Sequence, residues 1–151
     1  MREFFDTSVL VAAFWKGHPA HSDSLRLVST ATRERSYCGL HSLAEVYASM
    51  TALPVKETIL PAQALFFVDE VQDRFTLVAL DREEYYRTIS DAAKRGFTSG
   101  RIYDCLLLGC AVKVDADVIY TWNLKHFTAF DPGLRGKITS PGATSRAESV
   151  V

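Results

Sequence analysis

Three acidic residues stand beside apolar segments that are far apart in the sequence. Asp6 directly follows a short aromatic segment, Glu45 lies within S-L-A-E-V-Y, and Asp104 precedes a run of leucines. If the fold brings these carboxylates together, their mutual repulsion raises their pKa values unless a cation neutralises them. Ligands that are all oxygen favour Mg²⁺ or Mn²⁺ over zinc. Because Mg²⁺ keeps water ligands and pairs with phosphate groups, the implied chemistry is phosphoryl transfer or phosphodiester hydrolysis.

Each of these positions also has a purely structural interpretation. Asp6 can cap a following helix, and Asp104 can be a first-turn acid that the helix dipole favours. Ser42 and Glu45 have the spacing of a capping box, and Asn123 suits a turn. Taken one at a time, helix capping is the favoured interpretation of Asp6 and of Glu45. A shared metal site explains the four positions together.

Basic residues near the later acidic positions are candidates for holding substrate phosphates. Arg101 precedes Asp104 by three residues, and Lys125 and His126 follow Asn123. A solvated surface position is the alternative for each of these three side chains.

Soft metal ligands form no recognisable motif. Cys38, Cys105 and Cys110 are an odd set without C-x-x-C spacing, so they predict buried thiols and neither a zinc site nor a disulfide framework. His18 and His21, in H-P-A-H, could face one ion from a helix. Because no third soft ligand lies nearby, we interpret them as a helix-start residue and a surface histidine.

The order of the predicted elements explains how distant residues can meet. Strands alternate with helices, which predicts a three-layer α/β/α sandwich with a central, mostly parallel sheet of four to five strands. Ligands gather beyond the carboxyl ends of such strands, where the strand order reverses. Asp6 follows the first strand, Glu45 lies in the helix after the second, and Thr121 to Asn123 follow the fourth. We therefore expect these residues at one edge of the sheet.

Apolar patterning sets the bounds of these elements. Thr7 or Ser8 is expected to cap the first helix, and Asp81 and Glu84 have the spacing of a capping box for the fifth. The predicted strands are 3–5, 36–40, 74–80, 117–120 and 137–139. The predicted helices are 9–15, 19–33, 41 to about 53, 61–73, 82 to about 96, and 101–114.

Length and composition are typical of one globular domain. The 151 residues are 48% hydrophobic and 23% charged, enough for a single core. No apolar run approaches the ~20 residues of a membrane helix, and no signal peptide is evident, so we predict a cytoplasmic protein. A net charge of −1 argues against coating nucleic acid by bulk electrostatics. Residues 1–141 are predicted to form the domain and residues 142–151 a disordered tail.

Four motifs have the order and spacing of a known family. They are F-F-D-T-S-V-L at 4–10, S-L-A-E-V-Y at 42–47, G-R-I-Y-D-C-L-L-L-G-C-A at 100–111 and D-V-I-Y-T-W-N-L-K-H-F at 117–127. On these residues the chain resembles PIN-domain proteins of the VapC toxin type, over essentially residues 3–141. The resemblance implies an α/β sandwich and a Mg²⁺-dependent endoribonuclease, with Mn²⁺ as a substitute ion, that leaves 5′-phosphate and 3′-hydroxyl ends.

The resemblance also assigns roles to the site residues. It implies that Asp6, Glu45 and Asp104 face the metal, with Glu45 bound directly or through water, and that the ion activates a water for in-line attack on phosphorus. Asn123 stands where many PIN proteins have a fourth acid, which argues against a second firmly held metal. Asn123 and Thr121 would add neutral oxygen atoms to the catalytic set. A homodimer and an antitoxin that covers the active site are further implications.

Apolar residues of the middle helices exceed what a core alone explains. Core packing accounts for most of them, and a surplus could form a dimer face or a groove for an antitoxin helix. These residues are Leu65, Phe66, Phe67, Val68, Tyr85 and Tyr86.

Two other functions are alternatives. A haloacid-dehalogenase-like phosphohydrolase also places a strand-end aspartate over Mg²⁺, but it needs a second acid two residues later, where this chain has Ser8. A PIN fold that binds RNA or a protein without cleaving is the alternative from another class. Loss of one of the three carboxylates would have favoured it, and all three are present.

Overall fold

A computed structural model describes residues 1–143 as a five-stranded parallel sheet with helices on both faces. The strand order is β3-β2-β1-β4-β5, and every neighbouring pair is parallel. The strands are β1 (Glu3–Phe5), β2 (Ser36–Gly39), β3 (Thr76–Val78), β4 (Val118–Tyr120) and β5 (Ile138–Thr139). The helices are α1 (Thr7–Phe14), α2 (His21–Ser29), α3 (His41–Thr51), α4 (Pro61–Arg74), α5 (Arg82–Lys94), α6 (Arg101–Lys113) and α7 (Leu124–Phe130), followed by a 3₁₀ turn at Pro132–Leu134.

The central strand β1 supplies one large side chain to each face of the sheet. Successive side chains of a strand point in opposite directions, so Phe4 joins the core beneath α5, α6 and α7, and Phe5 joins the core beneath α1 to α4. Both phenylalanines are completely buried. Two cores, one on each face of the sheet, confirm the predicted α/β/α sandwich.

The strand order reverses between β1 and β4. The chain builds β2 and β3 on one side of β1, then crosses to build β4 and β5 on the other. The backbone N–H of Asp6 donates to the carbonyl of Tyr120 over 2.9 Å, which extends the β1–β4 pairing into the loop after β1. The crevice beyond β1 and β4 is therefore the expected ligand site.

Several predicted elements differ from the structure. The sequence did not predict α7, and β3 is shorter than the predicted 74–80 because α4 continues to Arg74. Helix α2 covers less than the predicted 19–33. The capping box of α5 is confirmed: Asp81 Oδ1 accepts from the Glu84 N–H, and Glu84 Oε1 accepts from the Asp81 N–H, each over 2.9 Å.

Other expectations from composition have mixed outcomes. All three cysteines are free and buried, as predicted. Within residues 1–143, the helices are too short or too polar to cross a bilayer. The predicted tail, 142–151, lies outside the described residues beyond position 143, and the domain boundary at 141 stays a prediction.

Candidate active site

A polar cavity of about 260 Å³ opens beyond the carboxyl ends of β1 and β4. The structure brings together here Asp6, Glu45, Asp104 and Asn123, which come from four separate segments. The remaining lining residues are Thr7, Ser8, Val11, His18 and Ser49.

Asp6 lies at the N-cap position of α1, but its side chain makes no capping hydrogen bond. Instead, Oδ2 accepts hydrogen bonds from Ser8 Oγ (2.7 Å) and from Thr121 Oγ1 (2.8 Å). The prediction that Thr7 or Ser8 caps α1 is therefore wrong, because the helix already begins at Thr7. Asp6 is only 1% exposed, and this burial raises its pKa, against the opposing effect of the two hydroxyl donors.

Glu45 is not part of a capping box. Helix α3 begins at His41 after Leu40, so Ser42 lies inside the helix and cannot cap it. The Ser42 hydroxyl is 2.8 Å from Thr7 Oγ1, and Thr7 in turn donates to Glu45 Oε1 over 3.1 Å. Thr7, in the segment next to Asp6, thus fixes one oxygen of Glu45.

Neighbouring acidic charges affect the pKa values of Glu45 and Asp104. Burial raises the pKa of Glu45, and the charges of Asp6 and Asp104 raise it further. Burial likewise raises the pKa of Asp104, with a second contribution from Asp6. His126 has the opposite effect on the pKa of Asp104, since its Nδ1 is 3.6 Å from Asp104 Oδ2. A cluster in which one ionised carboxylate disfavours ionisation of its neighbours is one that a cation would stabilise.

Hydrogen bonds connect the loop after β4 to the loop after β1. Thr121 is completely buried; besides donating to Asp6, its Oγ1 accepts from the Asn123 N–H over 2.9 Å. The Trp122 N–H donates to Ser8 Oγ (3.0 Å), and Trp122 Nε1 donates to Ser24 Oγ (2.9 Å). The position of Asp6 therefore depends on two loops at once.

Ser8 is a site residue that sequence reasoning missed. It was interpreted as a helix cap, or as the residue that argues against a haloacid-dehalogenase-like enzyme. The run D-T-S directly after a strand could have indicated this role, because a hydroxyl close to a buried carboxylate can donate a hydrogen bond to it.

The predicted phosphate-binding residues are distributed around the cavity. Lys125 and His126 are exposed and share a shallow neighbouring cavity with Asn123. Arg101 packs instead against aromatic rings, with its guanidinium carbon 4.6 Å from the ring centroid of Phe97. Among the described residues, the buried Nε of Arg101 has no hydrogen-bond partner.

His18 and His21 do not form a shared ion site. His21, the residue predicted to lie on the surface, begins α2, and its Nδ1 is 2.9 Å from the carbonyl of Ala12. His18, the predicted helix-start residue, precedes α2 and lines the polar cavity. Its Nδ1 accepts from the Ala20 N–H over 3.0 Å, so the neutral ring carries its proton on Nε2. His18 therefore offers the cavity a donor and no free nitrogen for a metal.

The donor set fits a hydrated hard ion. Within residues 1–143, no three His, Cys, Asp or Glu side chains are close enough to hold a metal directly as a group. Mg²⁺ is commonly bound by one or two carboxylates and completes its shell with water, so it fits Asp6 and Asp104 with Glu45 acting through water. A zinc site, which needs a closed set of nitrogen and sulfur ligands, does not fit.

Comparison with known proteins identifies similar chains. The family model described as PIN domain matches residues 4–129. A protein named Ribonuclease VapC40, from Mycobacterium tuberculosis strains CDC 1551 and H37Rv, is 26% identical over 126 residues, covering 83% of this chain and 90% of the relative.

Solved structures share the fold at lower identity. One is VapBC2 from Rickettsia felis bound to a promoter DNA fragment, with a TM-score of 0.62 and 18% identity over 93% of this chain and 98% of that one. Another is VapBC-1 from nontypeable Haemophilus influenzae, with a TM-score of 0.60 and 17% identity over 87% of this chain and 94% of that one.

Proposed function

The chain belongs to the PIN-domain family, and from that membership we propose that it is a Mg²⁺-dependent endoribonuclease, the toxin of a toxin–antitoxin pair. The observation that carries the proposal is the meeting of Asp6, Glu45 and Asp104 in one cavity, where the charge of Asp6 raises the pKa values of the other two. The relative named Ribonuclease VapC40 supports the same activity. A cytoplasmic location, where RNA is abundant, is part of the proposal.

Several residues of the chain would have distinct roles in RNA hydrolysis. Asp6 and Asp104 would hold the ion, and Glu45 would act on its water shell. When bound, Mg²⁺ supplies the positive charge that activates a water and stabilises the negative charge of the phosphate. The hydroxyls of Ser8 and Thr121 fix Oδ2 of Asp6, so its carboxylate cannot rotate away.

Glu45 is suited to take the proton of the attacking water. Its Oε1 is engaged by the Thr7 hydroxyl, so a proton would be taken up at Oε2. Burial and the two neighbouring aspartates raise its pKa toward the working pH, which makes it a better general base than an ordinary glutamate. Attack breaks the bond between phosphorus and the 3′ oxygen and leaves 5′-phosphate and 3′-hydroxyl ends. Asn123 would supply a neutral oxygen at the cavity, Thr121 would act by holding Asp6, and Lys125 and His126 would bind the flanking phosphates.

Incubation with RNA tests the function directly. The purified chain is mixed with a diverse RNA pool, once with Mg²⁺ and once with EDTA, and the new ends are sequenced. We expect 5′-phosphate ends with Mg²⁺ and none with EDTA. Retention of RNA without cleavage under both conditions would favour the binding module. Release of phosphate from small phosphomonoesters, with RNA left intact, would favour a haloacid-dehalogenase-like enzyme.

Exposed apolar side chains support a partner protein and a second copy of the chain. Phe67 and Val68 pack against the core, but Leu65 is 52% exposed and Phe66 is 73% exposed on α4, and Tyr85 and Tyr86 are exposed on α5. We propose that these two surfaces bind an antitoxin helix and a second protomer. The solved VapBC assemblies support a partner of this kind. Light scattering during size-exclusion chromatography would show whether the chain alone has the mass of a dimer.

Reversing the charge of Arg101 should weaken RNA binding in a salt-dependent manner. Its guanidinium charge lowers the pKa of Asp104, which supports a position close enough to that carboxylate to attract a substrate phosphate. We expect Arg101→Glu to lose more affinity at low salt than at high salt, and to reduce the slope of log K against log salt by about 0.7 or more. Fluorescence anisotropy with a single-stranded RNA measures both quantities. Lys56→Glu, the same charge change in the exposed loop after α3, is the control, and equal effects of the two variants would contradict the role.

A further inference from the structure

A stacked pair of aromatic rings lies beside the carboxylates without holding any of them. The rings of His41 and Tyr103 have centroids 5.3 Å apart and planes within 6° of parallel. His41 begins α3, one helical turn before Glu45, and Tyr103 directly precedes Asp104 in α6. The pair therefore bridges the two helices that carry two of the three acids.

Burial shows that this pair does not belong to the core. Tyr103 is 46% exposed, and His41 is also exposed. The charge of His41 acts on Glu45 and opposes the rise in its pKa, so the imidazole is close to the acidic cavity. An ordered, exposed aromatic stack at the rim of a polar cavity is available to a ligand.

An apolar cavity of about 410 Å³ begins at the same histidine. His41 lines it together with Leu40, Tyr85 and Leu106, and the described residues around it include no Asp, Glu, Lys or Arg. Its volume lies in the range of small-molecule sites, which are mostly apolar with a few polar groups. A site for charged phosphate chemistry and a site for a flat apolar ring thus meet at the start of α3.

We propose that His41 and Tyr103 form a stacking platform for one unpaired base of the RNA, in the nucleotide next to the cleaved phosphate. This inference rests on the proposed ribonuclease function. Single-stranded RNA is commonly held by bases stacked on aromatic side chains, because every base has a π face. When a phosphate lies among the carboxylates, the adjoining base is within reach of the rim. The platform would select unpaired over double-stranded RNA at the point of cleavage.

Binding measurements in a cleavage-deficient background test the platform. Cleavage positions are first mapped with the unaltered chain, and affinity is then measured with Asp6→Asn for a short single-stranded RNA and for copies that carry one abasic ribose at successive positions. We expect Tyr103→Leu, added to this background, to weaken binding by about 5- to 100-fold. An RNA with one abasic ribose beside the cleaved bond should bind the Asp6→Asn protein more weakly by a similar factor. In the protein that also carries Tyr103→Leu, the same abasic ribose should cause no further loss of affinity.

Conservative and remote variants sharpen the test. Tyr103→Phe and His41→Phe keep a ring and should retain most of the affinity, whereas His41→Leu should lose it. Tyr47→Leu alters a tyrosine that is 40% exposed on α3 and has no proposed role, and it should leave the affinity unchanged.

Three results would overturn the inference. Equal affinities of the Tyr103→Leu and Tyr47→Leu variants would rule out the platform. The ribonuclease proposal would stand in that case, provided that the unaltered chain cleaves RNA. Dissociation of a dimer by Tyr103→Leu in sedimentation, with unchanged RNA affinity per protomer, would identify the pair as a subunit contact. Absence of both RNA binding and RNA cleavage by the unaltered chain would overturn the ribonuclease proposal, and the platform with it.

Discussion

Replacing Asp6 by Asn should reduce Mg²⁺-dependent RNA cleavage by more than about 100-fold while the fold is retained. Loss of a residue that only supports a metal ligand typically costs 10- to 100-fold in activity, and a direct ligand should cost more. Asn has the same shape and can still accept the hydrogen bonds of Ser8 and Thr121, so the substitution removes charge and little else. Initial cleavage rates at saturating Mg²⁺, together with far-ultraviolet circular dichroism, measure both parts of the expectation.

A graded series separates charge from general disturbance. Asp104→Asn should be as inactive as Asp6→Asn, and Ser8→Ala should lose only about 10- to 100-fold because it removes one of the two donors to Asp6. Asp73→Asn makes the same change on the exposed surface of α4 and should cleave RNA normally. Full activity of purified Asp6→Asn would refute the assignment of the metal site.

The same substitution should make the protein more stable when no metal ion is present. Burial raises the pKa of Asp6 above its ordinary value of 3.8, so the folded state binds this proton more readily than the unfolded state. Stability is then lost as the pH rises from the unfolded to the folded pKa, and the full penalty remains above it. Burying a polar group that its hydrogen bonds do not fully compensate costs about 1–3 kcal/mol, and each 1 kcal/mol shifts Tm by roughly 2–4 °C at this length. In EDTA at neutral pH, we therefore expect Asp6→Asn to melt several degrees higher than the unaltered chain.

The pH dependence of that difference identifies its cause. The gap in Tm between the two proteins should close as the pH falls toward the ordinary aspartate pKa, because Asp6 becomes neutral in both states. Glu84 contributes in the opposite direction: a hydrogen bond from Lys113 lowers its pKa from 4.5 to about 2, so its stabilisation is lost progressively as the pH falls from the first value to the second. This contribution is common to both proteins and cancels in the comparison. A gap that stays constant from neutral pH to pH 4 would show that the charge of Asp6 is not responsible.

Addition of Mg²⁺ should reverse the order of stability. An ion that binds only the folded state stabilises it by about 2.7 kcal/mol at a hundred times its Kd. The unaltered chain should gain this stabilisation and Asp6→Asn should gain little of it. Differential scanning fluorimetry across a Mg²⁺ titration gives the result, and equal gains in the two proteins would place the ion elsewhere.

The sequence predicted the bounds of some elements well and of others poorly, and length alone did not decide the outcome, since the three-residue β1 was predicted at 3–5 as observed. Helix α6 was predicted at 101–114 and spans Arg101–Lys113, because thirteen residues give several turns of pattern and a glycine stands before the first. Helix α7 was missed, since seven residues provide only two turns in which Leu124, Phe127 and Phe130 recur. The ends of β3 were set by competition with α4, where Arg74 forms an ion pair with Glu70 inside the helix. Such competition depends on tertiary packing, which local patterns do not contain.

The candidate site could likewise be predicted only in part from the sequence. Its acidic members could be predicted because strand-end positions of a parallel sheet converge, whatever the details of packing. Their hydrogen bonds could not, because the Thr121 hydroxyl that holds Asp6 comes from a residue 115 positions away. The predicted capping box of Ser42 and Glu45 was wrong for a related reason: α3 begins at His41, two residues too early for Ser42 to cap it.

The central position of β1 has a consequence for synthesis of the chain. The strand that Asp6 follows is synthesised long before one of its two neighbours, β4, which begins only at Val118. Pairing across so long a separation must wait until most of the polypeptide has emerged. A nascent chain therefore cannot assemble the cluster of Asp6, Asp104 and Thr121 while it is still short. Under the proposed ribonuclease function, this delay would keep a partly synthesised chain from cleaving RNA.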